Sequence, residues 1–200
     1  MQPTISELPP LSWEPAPGHA TYDESSRVLR LTAAPGVDWS NDSLGGASQH
    51  AASALGFIAP EAFSLSAKVG VETSRTTFDA GAISLWSSPQ HWAKLCFEYS
   101  PQGQAMVVSV VTNGFSDDCN SSMVLERWSY LRVSRVGPGW AFHASQDGQQ
   151  WWFVRLFRLD TDKSVHVGFL SQAPMGETCV ATFEDITLTL TAPGDLRDGS

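Results

Sequence analysis

Residues 91–99 read His91-Trp92-Ala93-Lys94-Leu95-Cys96-Phe97-Glu98-Tyr99. Successive side chains of an extended chain point to opposite faces, so Ala93, Leu95 and Phe97 share one face and predict a strand with that face in a core. Trp92, Lys94, Cys96 and Glu98 share the other face. Lys94 and Glu98 lie about 13 Å apart along such a strand, so they flank a ligand more readily than they neutralise each other.

The same punctuation extends outward. Ala80 to Trp86 is small and apolar and stops at Ser87-Ser88-Pro89, and Met106 to Thr112 is a β-branched run ending at Asn113-Gly114. Val28 to Thr32, Phe63 to Val69, Tyr130 to Val136, Trp140 to Ser145, Val165 to Ser171 and Phe183 to Thr191 read likewise, each bounded by Gly, Pro, Asn or Ser. Short strands at close intervals predict an all-β sandwich or barrel. Helical spacing is confined to Ala47 to Leu55, one or two turns at most. The Pro-rich residues 1–10 are expected to be extended, 11–191 to form a single domain, and 192–200 to be a frayed C-terminal tail.

The 200 residues are 42% hydrophobic and carry a net charge of -9, from 12 basic and 21 acidic side chains. A chain of this length buries roughly two-thirds of its unfolded surface and supports a core without metals or disulfides. The acidic balance argues against nucleic acid and against an anionic membrane surface. No apolar run reaches the roughly 18 residues of a membrane span, and the N-terminus lacks the pattern of a signal peptide. Three cysteines, Cys96, Cys119 and Cys179, without zinc spacing read as reduced structural thiols, so the expected location is cytoplasmic. Eight tryptophans are many for this length. They serve either an aromatic core or a groove in which flat rings stack on sugar C–H faces.

Parity extends the first face. Leu131 and Val133 point inward and Arg132 outward; Trp140, Phe142 and Ala144 inward and His143 outward; Val167 and Phe169 inward and His166 outward. If these strands share a sheet, Trp92, Lys94, Glu98, Arg132, His143 and His166 gather on one face, unless a bulge inverts the alternation.

The order of motifs resembles one family. Leu31 to Trp39, LTAAPGVDW, resembles its L-x-A-x-P-x-x-D-[FW] signature, and Phe78-Asp79-Ala80-Gly81-Ala82-Ile83 resembles its Y-D-Q-A-G-[LI] strand. Trp92 to Glu98 resembles W-x-K-x-G-x-E, Val111 to Asn113 with Ser116-Asp117 resembles V-T-N…S-D, and Arg132 to Gly137 resembles R-x-x-R-x-G. Ser145 to Gly148 with Trp151 resembles S-x-D-G-x-x-W. The family is the YesU-like and regulation-of-enolase-like group, domain of unknown function 1349, and the resemblance covers about residues 11–190. It implies a concanavalin A-like jelly-roll β-sandwich of two antiparallel sheets, one of them concave. Phe78 and Ala80 depart from it, standing where Tyr and Gln are common.

Three functions follow as expectations. The first is binding of a saccharide or other small polar ligand on the concave face. Trp92 and Trp39 would stack on it, and Lys94, Glu98 and Arg132 would bond its hydroxyls or carboxylate, with Asp79 and His143 as further candidates. The second is a glycoside-active enzyme on the same face. Hydrolysis would use Glu98 with Asp79; elimination would use His143, Lys94 or Tyr99 as base, with Arg132 neutralising a uronate. The third is an interaction or regulatory module, with the loop Asn113 to Met123 as contact surface. Asp117, Asp118 and Asn120 there have the oxygen ligands of a weak calcium site, though a solvated acidic loop is the simpler reading. No nucleophile elbow, P-loop, dinucleotide fingerprint or zinc-protease motif occurs, and no cofactor or metal is expected. Exposed sheet edges leave room for a homodimer or a protein partner.

Overall fold

The computed structural model describes residues 2–200, and no helix occurs among them. The chain forms β1 (Ser12–Glu14), β2 (His19–Asp23), β3 (Val28–Ala33), β4 (Trp39–Ser40), β5 (Gln49–His50), β6 (Ala54–Ile58), β7 (Phe63–Val71) and β8 (Ala80–Ser88). It continues as β9 (His91–Tyr99), β10 (Ala105–Asn113), β11 (Phe115–Met123), β12 (Trp128–Val136), β13 (Gly139–Ser145), β14 (Trp152–Phe157), β15 (His166–Gln172) and β16 (Cys179–Thr189). Two seven-stranded antiparallel sheets run in the orders β1-β6-β15-β8-β9-β10-β11 and β14-β13-β12-β7-β16-β3-β2, and β4 pairs with β5. This is an all-β sandwich of the expected jelly-roll kind.

The alternation read from the sequence sets its core. Ala93, Leu95 and Phe97 of β9 meet Leu131, Val133 and Phe142 of β12 and β13, with Val167, Phe169 and Phe183. All of these are fully buried. Ile5, Leu8 and Leu11 join the same core, so the segment before β1 is packed rather than merely extended.

Four expectations are corrected. Residues 47–55 hold β5 and the start of β6 in place of a helical turn. Residues 113–123 are no loop: Phe115–Met123 is an edge strand paired with β10. Asp117 and Asp118 therefore point to opposite faces, and Asp117 pairs with Arg155 at 2.8 Å. Residues 194–200 lie against β12 and β13, with the Gly199 carbonyl accepting a bond from Arg132.

The fourth correction concerns the site. Arg132 and His143 lie in the second sheet, whereas Trp92, Lys94 and Glu98 lie in the first. Their outward faces look away from each other across the sandwich. In a sandwich both sheets show the same alternation, so parity separates inside from outside without saying which outside.

Candidate functional site

The outer face of the first sheet carries a second apolar cluster. Ala80, Ala82 and Trp86 of β8, Trp92 and Cys96 of β9, Val108 and Val110 of β10 and Leu170 of β15 contribute to it, and Trp39 and Ala52 close over it. The segment 37–52 thus covers this part of the face. Trp39 and Trp92 are 1% and 0% exposed, so neither offers a free ring face. The Trp39 ring lies 4.7 Å from that of Trp86 and 5.8 Å from that of Trp92. Trp39 Nε1 donates to the Ala52 carbonyl at 2.8 Å and Trp92 Nε1 to Asn41 Oδ1 at 3.2 Å.

Beside this cover the sheet opens into a pocket of about 270 Å³, lined by Asp38, Phe78, Lys94, Glu98, Asp118 and Gln172 among others. Cross-strand register assembles it. Lys94 sits opposite Val110, which sits opposite Asp118. Glu98 sits opposite Ala80, which sits opposite Gln172. Ala80 is short, so the Gln172 side chain crosses over it toward β9.

Lys94 is the floor. Its Nζ donates to Asp38 Oδ1 at 2.6 Å, Gln172 Oε1 at 2.8 Å and the Trp39 carbonyl at 2.9 Å. All three ammonium hydrogens are used. Burial pulls the Lys94 pKa down, but the Asp38 carboxylate outweighs it, so the net shift is upward and the cation persists. Among the described residues Glu98 has no salt-bridge partner. Burial pushes its pKa up to about 7; Lys94 opposes this, while Asp38 and Asp118 reinforce it. Partial burial also raises Asp118, with Asp38 and Asp117 adding.

Phe78 forms the lip. It has φ 68°, the left-handed region that a side chain of its size rarely adopts. Two bonds hold it there: its N–H donates to the Tyr99 carbonyl at 2.7 Å, and its carbonyl accepts from Gln172 Nε2 at 2.8 Å. Phe78 stays 39% exposed and lines the pocket.

Of the residues nominated from sequence, Lys94 and Glu98 share this pocket, with Trp39 at its wall. Asp79 instead closes the turn before β8: its Oδ2 accepts from Thr76 N at 2.9 Å and Thr76 Oγ1 at 3.0 Å, and it is fully buried. Trp92 is sealed under segment 37–52. His166 is on the same sheet but bonds to Ser12 at its far side. Sequence reasoning missed Asp38, Phe78 and Gln172 as site members. Asp38 lies within the quoted LTAAPGVDW stretch. Gln172 continues the outward parity of His166 and Gly168, the one signal that points to it.

Two seven-stranded antiparallel sheets packed face to face give the molecule a fold of the concanavalin A-like jelly-roll class. Within that class the chain belongs to the family described as Protein of unknown function (DUF1349), whose profile matches residues 13–191. Among solved structures it is similar to a functionally unknown protein from Saccharomyces cerevisiae, at 25% identity and TM-score 0.79, covering 90% of this chain and 96% of that one. It also resembles a xylan beta-1,4-xylosidase from Bacillus halodurans at 14% identity and TM-score 0.64, covering 94% of this chain but only 40% of that one. An alginate lyase from Klebsiella pneumoniae shares the fold at 12% identity and TM-score 0.55, covering 88% of this chain and 85% of that one. No curated protein matches the chain.

Proposed function

We propose that this protein binds a small neutral saccharide in the pocket of Lys94, Glu98, Asp38, Asp118 and Gln172, with Phe78 as the stacking surface. The observation that carries the reading is the pairing of an exposed aromatic lip with hydroxyl-bonding side chains fixed on a rigid sheet. Sugar recognition needs both: a ring for the C–H face and directed polar groups for the hydroxyls. Three carboxylates surround one cation that is already fully bonded, so a uronate would meet repulsion here. That favours neutral over acidic sugars. The xylosidase and the alginate lyase support a carbohydrate ligand by analogy of fold alone.

Titration calorimetry against neutral pentoses, hexoses and their oligomers tests the proposal. Saturable binding weakened about tenfold by Glu98→Gln is the expected result. No binding of any neutral sugar would overturn it.

A second reading rests on Glu98. A carboxyl that titrates near 7 is suited to donate a proton to a glycosidic oxygen at neutral pH. Release of reducing ends from a bound oligomer, abolished in Glu98→Gln, is the outcome that would establish catalysis.

A further inference from the structure

The outer face of the second sheet is built differently from that of the first. Ser64 and Ser66 of β7 and Thr187 and Thr189 of β16 lie side by side in register, with Arg132 of β12 opposite Ser66. These residues and Trp151 line a cavity of about 320 Å³. Arg132 is 9% exposed and stacks on the Trp151 ring at 4.3 Å.

Among the described residues, no carboxylate pairs with Arg132. Its Nη2 donates to the Gly199 carbonyl at 2.7 Å, and its Nε is buried without a partner. The guanidinium presents five donors in a planar fork that matches a carboxylate, so one carbonyl leaves most of its capacity unused. A buried cation without an anion is costly in a folded protein, and this chain has a surplus of acids that could have supplied one. Two of those acids lie close by in sequence to Gly199 yet turn away. Asp195 Oδ1 accepts from the Arg197 N–H at 2.7 Å, and Asp198 Oδ1 from the Ser200 N–H at 2.9 Å.

The segment 194–200 closes on itself, with Gly199 N–H donating to the Asp195 carbonyl at 2.9 Å. Few polar contacts tie it to the sheet. Besides the Arg132 bond, the Leu196 carbonyl accepts from His143 Nε2 at 2.8 Å, and Arg197 lies over the Phe153 ring at 4.6 Å. His143 is fully buried and its Nδ1 has no partner. The segment therefore satisfies one nitrogen of each of two buried basic side chains and leaves another unmet.

We propose that the outer face of the second sheet holds a carboxylate-binding site centred on Arg132, Trp151 and the hydroxyls of Ser66 and Thr187, and that residues 194–200 cover it as a displaceable latch. A ligand carboxylate takes the guanidinium fork in place of the Gly199 carbonyl. The hydroxyl row receives the polar remainder of the ligand. This site is separate from the pocket of Lys94 and Glu98 and does not depend on its assignment.

Gly199 provides the test. It has φ 74°, and an added Cβ would overlap Arg132 Nη2 and approach Trp151 Cβ at 2.8 Å. Gly199→Ala in the full chain therefore strains the latch against Arg132 and Trp151 while leaving every residue of the sheet unaltered in sequence. Sodium glucuronate, sodium acetate and glucose are titrated while the His143 and Trp151 side-chain resonances are followed by NMR. Gly199→Ala is expected to bind glucuronate about tenfold more tightly than the unaltered protein. Arg132→Gln in that background is expected to abolish binding, and Arg132→Lys, which keeps the charge but not the fork, to weaken it about tenfold. Acetate binding with the same resonance shifts would show that the carboxylate is recognised by itself. An equal-affinity glucose response at the His143 and Trp151 resonances, retention of glucuronate binding in Arg132→Gln, or no gain in Gly199→Ala would each overturn the proposal. Should Gly199→Ala fail to fold, Arg197→Ala removes the Phe153 contact and carries the same expectation.

Discussion

Lys94 and Asp38 form an ion pair at 2.6 Å in which the lysine side chain is 3% exposed and the aspartate 19%. The asymmetry decides what happens when it is broken. Asp38 can rehydrate, whereas Lys94 cannot, so Asp38→Asn strands a buried cation. The expected loss is about 2 kcal/mol in chemical denaturation, below the range for fully buried pairs because Asp38 is partly wet. The pH dependence follows from the raised Lys94 pKa. The pair's contribution is complete below the ordinary lysine value of 10.5 and fades as pH rises through the higher folded value. Denaturation from pH 8 to 11 should therefore show wild-type stability falling at the alkaline end while Asp38→Asn changes less.

Glu98 also makes stability fall as pH rises, but in a lower window and because burial penalises its charged form. Its folded pKa of about 7 lies above the ordinary 4.5, so the folded state holds a proton that the unfolded state has released. Stability from this group falls as pH rises from 4.5 to about 7 and is level above. Glu98→Gln removes the penalty. It should leave stability at pH 4 nearly unchanged and raise it at pH 8 by about 1–3 kcal/mol. A variant less stable at both pH values would show that the Glu98 carboxylate supports the fold.

The inward and outward division was readable strand by strand. Ala93, Leu95 and Phe97 went in and Lys94 and Glu98 out, because each residue advances half a period of the pleat. Sheet membership was not readable. Arg132 alternates in β12 as Lys94 does in β9, and only long-range pairing separates them. The tryptophans misled for a related reason. Trp92 lies on the outward face by parity yet is sealed by segment 37–52, whose course depends on Asn41 bonding to Pro89 and Gly114 carbonyls far along the chain. β11 was missed because Ser, Asp and Asn fill it; its strand state comes from pairing with β10 and not from local propensity.

The sealed position of Trp92 gives a prediction that separates core from groove. Trp92→Phe keeps a ring but removes the N–H that Asn41 Oδ1 accepts. Asn41 Oδ1 keeps its 2.8 Å contact with His50 Nε2, so it is not stranded. Stability should fall by about 1–2 kcal/mol. Sugar affinity measured by calorimetry should stay within about twofold of wild type, since no face of Trp92 reaches solvent. A tenfold loss of affinity with intact folding would return Trp92 to the ligand.

Phe78 gives the complementary prediction, and its backbone supplies an internal control. At φ 68° a residue with a Cβ costs about 1 kcal/mol more than glycine, so the strain belongs to the position and the stacking belongs to the ring. Phe78→Ala removes the ring and keeps the strain; Phe78→Gly removes both. Both variants should bind the neutral sugar about 3–10-fold more weakly, the range for loss of one aromatic contact. Their stabilities should differ: Phe78→Gly should exceed Phe78→Ala by about 1 kcal/mol in thermal or urea denaturation, because a residue 39% exposed contributes little packing that either variant could retain. Equal sugar affinity in wild type and both variants would remove Phe78 from the site. Equal stability of the two would mean that the Tyr99 and Gln172 bonds, and not the ring, dictate this backbone at no cost.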